Sequence, residues 1–407
     1  MQFNSKRLTY RIKSFLLLIL ESFNLIIPKK QNRIFFYSYP DFSDNPYFLY
    51  NYVSNKYNGK FDIVWGLKDT ALERNIISKD TTVVQLYTIR YFYYLFTSKV
   101  LFFTHGLPPG SSGRQLIFYL GHFSAPLKNW ESFGKNKRVR KNILTRKKKV
   151  DYYISTSKFS KITLAASLNA DPNRILVTGL PRNDIILKKS SKIIKKLCGI
   201  KSSNRKIILY MPTFRNVSLD NQNVKTVNPI KVIEELNFNK DFGNFLDKNN
   251  FSFVCKLHPY DESQLHSVKL ENPNFHMLNG DKLARNNTNV NEILSEVDIL
   301  VTDYSSAYVD FLLLDRPIFF HCPDIINYAK KTGFLFSPLS FWLPGDMTFD
   351  TVSFVENIIS NYKDTKKYKN QRKNLVEIFH EYKDSGSSQR VFDKVLKEMD
   401  RKKLMKL

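Results

Sequence analysis

The sequence predicts an α/β chain of two Rossmann-like domains facing a cleft, with a helical tail at the C-terminus. Three observations carry that expectation. From Arg33 onward, short apolar β-branched runs alternate with helix-length segments, as parallel sheets require. At 407 residues the chain has room for two domains of ordinary size, each with its own core. A polar, Lys/Ser-rich stretch over Lys188–Asn204 interrupts the alternation, which then restarts.

In the first segment, residues 1–30, Lys6, Arg7, Arg11 and Lys13 precede the apolar run Phe15–Ile27. Its 13 residues fall short of the ~20 that a bilayer needs, and Glu21 and Asn24 interrupt it. No small-residue cleavage site follows Pro28, so the segment reads as an interfacial or a core-packed helix. The first domain, residues 31–190, should hold strands at Arg33–Tyr39, Phe61–Trp65, Thr82–Gln85, Lys99–Thr104, Gln115–Leu120, Tyr152–Ser155 and Arg174–Thr178, with a helix near Pro46–Lys56. The second, residues 200–370, repeats the pattern at Lys206–Tyr210, Phe251–Leu257, Asp298–Thr302 and Ile318–His321. A helical tail over Asp364–Leu407, whose last part, residues 371–407, forms the final segment, is long enough to return to the first domain. That arrangement is GT-B-like, with the ligand expected between the halves.

Hydrophobic residues at 43%, aromatics at 14% and charged residues at 25% exclude a disordered or collagen-like chain. The net charge of +26 favours an acidic partner, whether nucleic acid, an anionic bilayer or a phosphate-rich substrate. Cys198, Cys255 and Cys322 are widely separated in apolar sequence and read as reduced core thiols. There is no GxGxxG after a strand, no GxxxxGK[ST] and no DxD triplet. His and Cys do not cluster at ligand spacing, so neither a metal site nor a cofactor is expected.

Polar groups gather instead at strand ends, where open α/β sheets bind ligands. The clearest case is Val297–Phe320, in which the apolar run Val297–Val301 leads into Asp303–Ser306, a helix from Ala307, and a stop at Pro317 before the next strand. The free amides of that first turn, with the Ser305 and Ser306 hydroxyls, would face a phosphate, although an ordinary Ser N-cap has the same appearance. Lys256-Leu257-His258-Pro259, Tyr210–Arg215 and Thr178–Asp184 close three further strands and add Lys256, Thr213, Arg215 and Arg182 to the expected donor-binding set with Asp303, Ser305 and Ser306. Arg and hydroxyls together suit a diphosphate. Each residue also has a structural alternative: His258 and His105 as turn histidines, Arg182 and Arg215 as ion pairs. His122 stands past the strand Gln115–Leu120.

YMPTFR, KLHPYD, DILVTDYSSAYVDFLLLDRPIFF and DSGSSQRVFDKVL, in that order, with FYSYPDFSDNPYFLYNYVSNKYNGKFDIVW near the start, resemble the CDP-glycerol glycerophosphotransferase family, which includes teichoic acid primases and polymerases. The resemblance implies transfer of a polyol phosphate, glycerol phosphate first among them, from a CDP-linked donor to a hydroxyl of a lipid-linked or glycan acceptor, releasing CMP, in teichoic acid or capsule-type polymer synthesis. It also implies two catalytic histidines. One, in the His-Pro of the second domain, maps to His258. The other, in a Trp-His-Gly motif, maps to His122, where this chain has Gly121-His122-Phe123.

The implied place of action is the cytoplasmic face of the plasma membrane. Lys135–Lys149 carries nine cations, Lys135, Lys137, Arg138, Arg140, Lys141, Arg146, Lys147, Lys148 and Lys149, with no acid, and would meet anionic headgroups or a polyphosphate acceptor unless it is only a solvated charge run. Two other readings share parts of this pattern. A nucleotide-sugar glycosyltransferase would have the same fold and phosphate turn. A nucleic-acid-binding protein would explain the charge, but no RRM, KH or zinc-finger signature is present, so no nucleic acid partner is expected.

Overall fold

The computed structural model describes residues 15–71, 80–122, 124, 127, 149–188, 192–214, 227–262 and 268–404. Its strands form two parallel sheets. The first contains β1 (Lys30–Tyr37), β2 (Asp62–Leu67), β3 (Thr82–Gln85), β4 (Ser98–Phe103), β5 (Leu116–Tyr119), β6 (Tyr152–Ser155) and β7 (Ile175–Val177), in the order β3-β2-β1-β4-β5-β6-β7. The second contains β8 (Lys206–Tyr210), β9 (Phe251–Cys255), β10 (Phe275–Met277), β11 (Ile299–Thr302), β12 (Ile318–His321) and β13 (Met347–Thr348), in the order β10-β9-β8-β11-β12-β13. Counted from its own first strand, the second sheet repeats the winding of the first. Each therefore has one switch point, between β1 and β4 and between β8 and β11, where connections depart to opposite sides and leave a crevice at the strand ends.

The apolar runs become strands because helices cover both faces of each sheet, so every residue of β4, β5 and β9 is buried. Two apolar clusters flank each sheet. On the first, Ile34, Phe36, Trp65, Phe102 and Phe118 lie on one side and Phe35, Val64, Leu101, Phe103 and Ile117 on the other, as strand alternation dictates.

The helical tail comprises two helices, Lys369–Phe379 and Ser387–Leu404. The last returns to the first half, where Val391, Phe392 and Val395 join the core of Ile34, Tyr50 and Trp65. In the other direction Leu127 and Ile186 enter the core of the second sheet beside Leu209 and Tyr308.

Three features depart from the sequence expectation. β10 and β13, of three and two residues, are additional strands. The helix after Ser306 is a five-residue turn, Ala307–Phe311, followed by a 3-10 turn over Leu312–Leu314. It ends at Asp315, whose φ of 48° turns the chain out of the helix before Pro317 is reached. A short helix, Ile193–Cys198, lies inside the polar stretch between the sheets. Cys255 and Cys322 are buried, Cys198 is half-buried, and all three are free thiols.

Candidate active site

At the second switch point, Thr213 follows β8 and Asp303 follows β11. The buried Asp303 carboxylate accepts from the Thr213 amide at 3.0 and 2.9 Å and from its hydroxyl at 2.6 Å. Two donors making three contacts on one carboxylate compensate its removal from water and tie the two strand ends together. The next residue, Tyr304, is fully buried and donates its hydroxyl to Asp324. With Asp303 and Tyr304 anchored inward, Ser305 and Ser306 stand half-buried at the crevice, and Ser305 Oγ accepts from the Ala307 amide at 3.4 Å. His321, at the end of the neighbouring β12, is buried, and burial pushes its pKa down to about 4 against the opposing pull of the Asp303 carboxylate. It is neutral at physiological pH.

One strand away, β9 ends in Lys256 and His258. Lys256 is 4% exposed and donates to Glu262 Oε1 at 2.6 Å and to the Leu257 carbonyl at 2.7 Å. Glu262 also accepts from the Gly280 amide at 3.0 and 2.9 Å. The ammonium thus clamps the turn in which the Asp261 and Glu262 amides donate to the His258 carbonyl at 2.8 and 3.2 Å. His258 is exposed, with its ring 4.8 Å from that of Phe214.

The first sheet carries the other histidine. His122 follows β5, half-buried, on a loop held by its main chain: Asn45 Nδ2 donates to the Leu120 and Gly121 carbonyls, both at 3.0 Å, and Arg182 Nη1 donates to the His122 carbonyl at 2.7 Å. Against the His122 ring lies His105, which follows β4, with centroids 4.0 Å apart and planes inclined by 20°.

Arg182 joins the two halves. It is 6% exposed and pairs with Asp44 at 2.9 Å and with Asp310 of the second half at 2.8 Å. Burial alone would lower its pKa, but the Asp310 and Asp44 carboxylates outweigh burial and hold the guanidinium charge more firmly than usual. Asp310 also accepts from Asn183 Nδ2 at 2.9 Å and from the Ser124 hydroxyl. At 1.5 Å rise per residue, Asp310 stands only about 6 Å along its helix from Ser306, so the Ser305–Ser306 turn and the His122 loop are linked through Asp310 and Arg182.

Of the residues expected to contact the donor, Thr213, Asp303, Ser305 and Ser306 come together at one switch point. Lys256 lies beneath the His258 turn, on Glu262 rather than facing open solvent. Arg182 has both its terminal nitrogens occupied by Asp44, Asp310, Ser124 and the His122 carbonyl. Arg215 lies outside the described residues, as do Lys135, Lys137, Arg138, Arg140, Lys141, Arg146, Lys147 and Lys148. Lys149 pairs with Glu21. Among the described residues no three His, Cys, Asp or Glu side chains group as metal ligands.

Sequence reasoning missed Asp44, Asn45 and Asp310. Asp310 carries a signal, a lone carboxylate within AYVDFLLL whose polar atoms need a buried partner. Asn45 carries none, because its acceptors are carbonyls 75 and 76 residues away.

Comparison with known proteins adds four findings. The sequence model of the family described as CDP-glycerol:poly(glycerophosphate) glycerophosphotransferase matches residues 19–397. The chain is 25% identical over 393 residues to the teichoic acid poly(glycerol phosphate) polymerase of Bacillus spizizenii, covering 91% of this chain and 93% of that protein. It is 24% identical over 360 residues to the teichoic acid glycerol-phosphate primase of Bacillus subtilis, covering 85% and 87%. The solved structure of the wall teichoic acid polymerase TagF superimposes with a TM-score of 0.77 over 99% of both chains at 22% identity, a likeness of fold.

Proposed function

The chain belongs to the CDP-glycerol:poly(glycerophosphate) glycerophosphotransferase family, and we propose that it transfers glycerol phosphate from CDP-glycerol to a hydroxyl of a teichoic acid acceptor, releasing CMP. The observation that carries the reading is the family match along nearly the whole chain, and the Arg182–Asp310 pair supports it by linking the loop of His122 to the helix that follows Ser306.

The reaction is an in-line displacement at the phosphorus bearing glycerol. An acceptor oxygen forms the new O–P bond, the bond from that phosphorus to the bridging oxygen breaks, and CMP leaves with the electron pair. The hydroxyl proton passes to His122. General-base catalysis of this kind contributes typically ~10²–10⁴-fold. His258, exposed at the end of β9, and the Ser305–Ser306 turn at the end of β11 receive the diphosphate and offset charge as CMP departs. Arg215, which follows Phe214 in sequence, is assigned to the same diphosphate. Lys256 and the Thr213–Asp303 pair fix the backbone that presents these groups. Arg182 acts at one remove, by holding the His122 carbonyl against Asp310.

Action at a membrane surface is supported by the helix over residues 15–26. Leu20 and Ile27 pack on the first sheet and the buried Asn24 donates to Gly110 O at 2.6 Å and Gln115 Oε1 at 2.9 Å. Phe15, Leu16, Leu18, Phe23 and Ile26 remain 53–71% exposed. No helix among the described residues is long and apolar enough to cross a membrane. An amphipathic helix lying in the headgroup region, with Arg114 and Lys149 beside it, accounts for that exposed face. Replacing Leu18 and Phe23 by Glu is expected to abolish sedimentation with anionic liposomes, and unchanged sedimentation would remove the membrane assignment.

The reaction is tested by incubating the protein and a glycerol phosphate-primed acceptor with CDP-glycerol, CDP-ribitol, CMP-sialate and UDP-sugars in turn. Nucleotide release is expected from CDP-glycerol. Release from a UDP-sugar, with none from CDP-glycerol, would contradict the reading.

A further inference from the structure

We propose that His105 is a positioning residue for His122, its ring face setting the plane in which the acceptor-side imidazole works. The proposal rests on the reading of His122 as the base that takes the acceptor proton.

The two histidines leave adjacent parallel strands. β4 and β5 pair with Phe103 opposite Tyr119, and the Leu120 amide donates to the Phe103 carbonyl at 2.9 Å, which carries the pairing past the strand ends. That register sets residue 105 opposite residue 121, one position from His122. The rings meet face to face, 4.0 Å between centroids at 20°.

Asn45 and Arg182 hold the loop through the carbonyls of residues 120–122, and such bonds leave the torsions of the His122 side chain undetermined. Nor does the preceding residue supply a wall, since Gly121 sits at φ +61° with no side chain. A face for the His122 ring to lie against comes from the neighbouring strand. His105 is itself braced: its Nδ1 lies 3.0 Å from the hydroxyl of the fully buried Thr104, which also accepts from the Tyr39 amide at 3.3 Å. The Tyr39 ring meets His105 edge-on at 5.9 Å.

A face contact restricts the plane of a ring without itself occupying a ring nitrogen. It suits a base that must keep a nitrogen directed at a substrate hydroxyl. When His122 accepts the proton, the new positive charge forms over the π face of His105, an attractive arrangement. Misplacement of a reacting group by about 1 Å costs as much as ~10²-fold in rate.

The test uses the full chain with His105→Ala and His105→Phe, reading CMP release from CDP-glycerol and, with ¹³C-labelled histidine, the ring-proton shifts of His122. His105→Ala is expected to lower kcat ~10–100-fold with KM for CDP-glycerol unchanged within about twofold. His105→Phe, which keeps an aromatic face, is expected to restore most of the lost kcat. The ring-current shift of His122 should vanish in the Ala variant and persist in the Phe variant. Wild-type kcat in His105→Ala, equal losses in both variants, or an unmoved His122 resonance in His105→Ala would each overturn the proposal. Absence of CMP release from the wild-type protein would refute the assigned reaction instead, and the His122 shifts would still decide the stacking.

Discussion

The groups at the end of the second sheet find their partners close at hand, whereas those at the end of the first sheet find theirs across the molecule. Asp303 is satisfied by Thr213 on the adjoining strand, and Lys256 by Glu262 six residues along. The His122 loop depends on Asn45, on Arg182 and, through Arg182, on Asp310 in the other half. Among the described residues, these bonds of Asp303 and Lys256 are self-contained within the second half, where the proposed donor groups stand. The hold on the His122 loop runs across the halves, and Asp310, on the helix that follows Ser306, makes that dependence direct.

Substituting Asp310→Ala should break the contrast most severely. It leaves Arg182 buried with one of its two carboxylates and strips Asn183 and Ser124 of their acceptor. Removing one partner of a buried pair costs about 3–5 kcal/mol, measurable as a fall in the urea midpoint at unchanged m-value. Asp303→Ala removes three hydrogen bonds to a single residue, and a loss of about 1–3 kcal/mol is expected, accompanied by weaker CDP-glycerol binding. If Asp303→Ala destabilises as much as Asp310→Ala, the donor side is not self-contained.

Acid should also act on the second sheet. The native pKa of His321, about 4, lies below its ordinary 6.5, so between those values the unfolded chain binds the proton that the native state refuses. The stability from keeping it neutral is fully present above about pH 6.5 and is lost as pH falls toward 4, by at most about 1.4 kcal/mol per pH unit. His380 and His276 shift in the same direction, each through burial first. Urea unfolding at pH 7.0, 5.5 and 4.5 measures the slope, and His321→Gln should flatten it. The smallest effect belongs to Ser305→Ala, within about 0.5 kcal/mol in stability but with a raised KM for CDP-glycerol.

The same contrast governs what could be read from the sequence. Thr82–Gln85, Tyr152–Ser155, Lys206–Tyr210 and Ile318–His321 were legible residue for residue, because a strand buried on both faces is a continuous apolar run bounded by polar residues. Met347–Thr348 has too few residues to show a period, and it exists because Phe320 and His321 offer it an edge. The turn between β11 and its helix was legible because Asp303, Ser305 and Ser306 are neighbours in sequence. Arg182 was visible as a cation at a strand end. Its engagement by Asp310, 128 residues later, was not, because nothing local distinguishes a guanidinium that faces phosphate from one that closes an interface. The stacking of His105 on His122 was hidden for a related reason, since it follows from the β4–β5 register rather than from either local sequence.

The division between a donor side and an acceptor side is tested most directly by His122→Ala, with CMP release and CDP-glycerol binding measured on the same preparation. Transfer is expected to fall ~10²–10⁴-fold while the Kd for CDP-glycerol, by calorimetry, stays within about threefold of wild type. Wild-type turnover, or loss of donor binding in step with turnover, would contradict it.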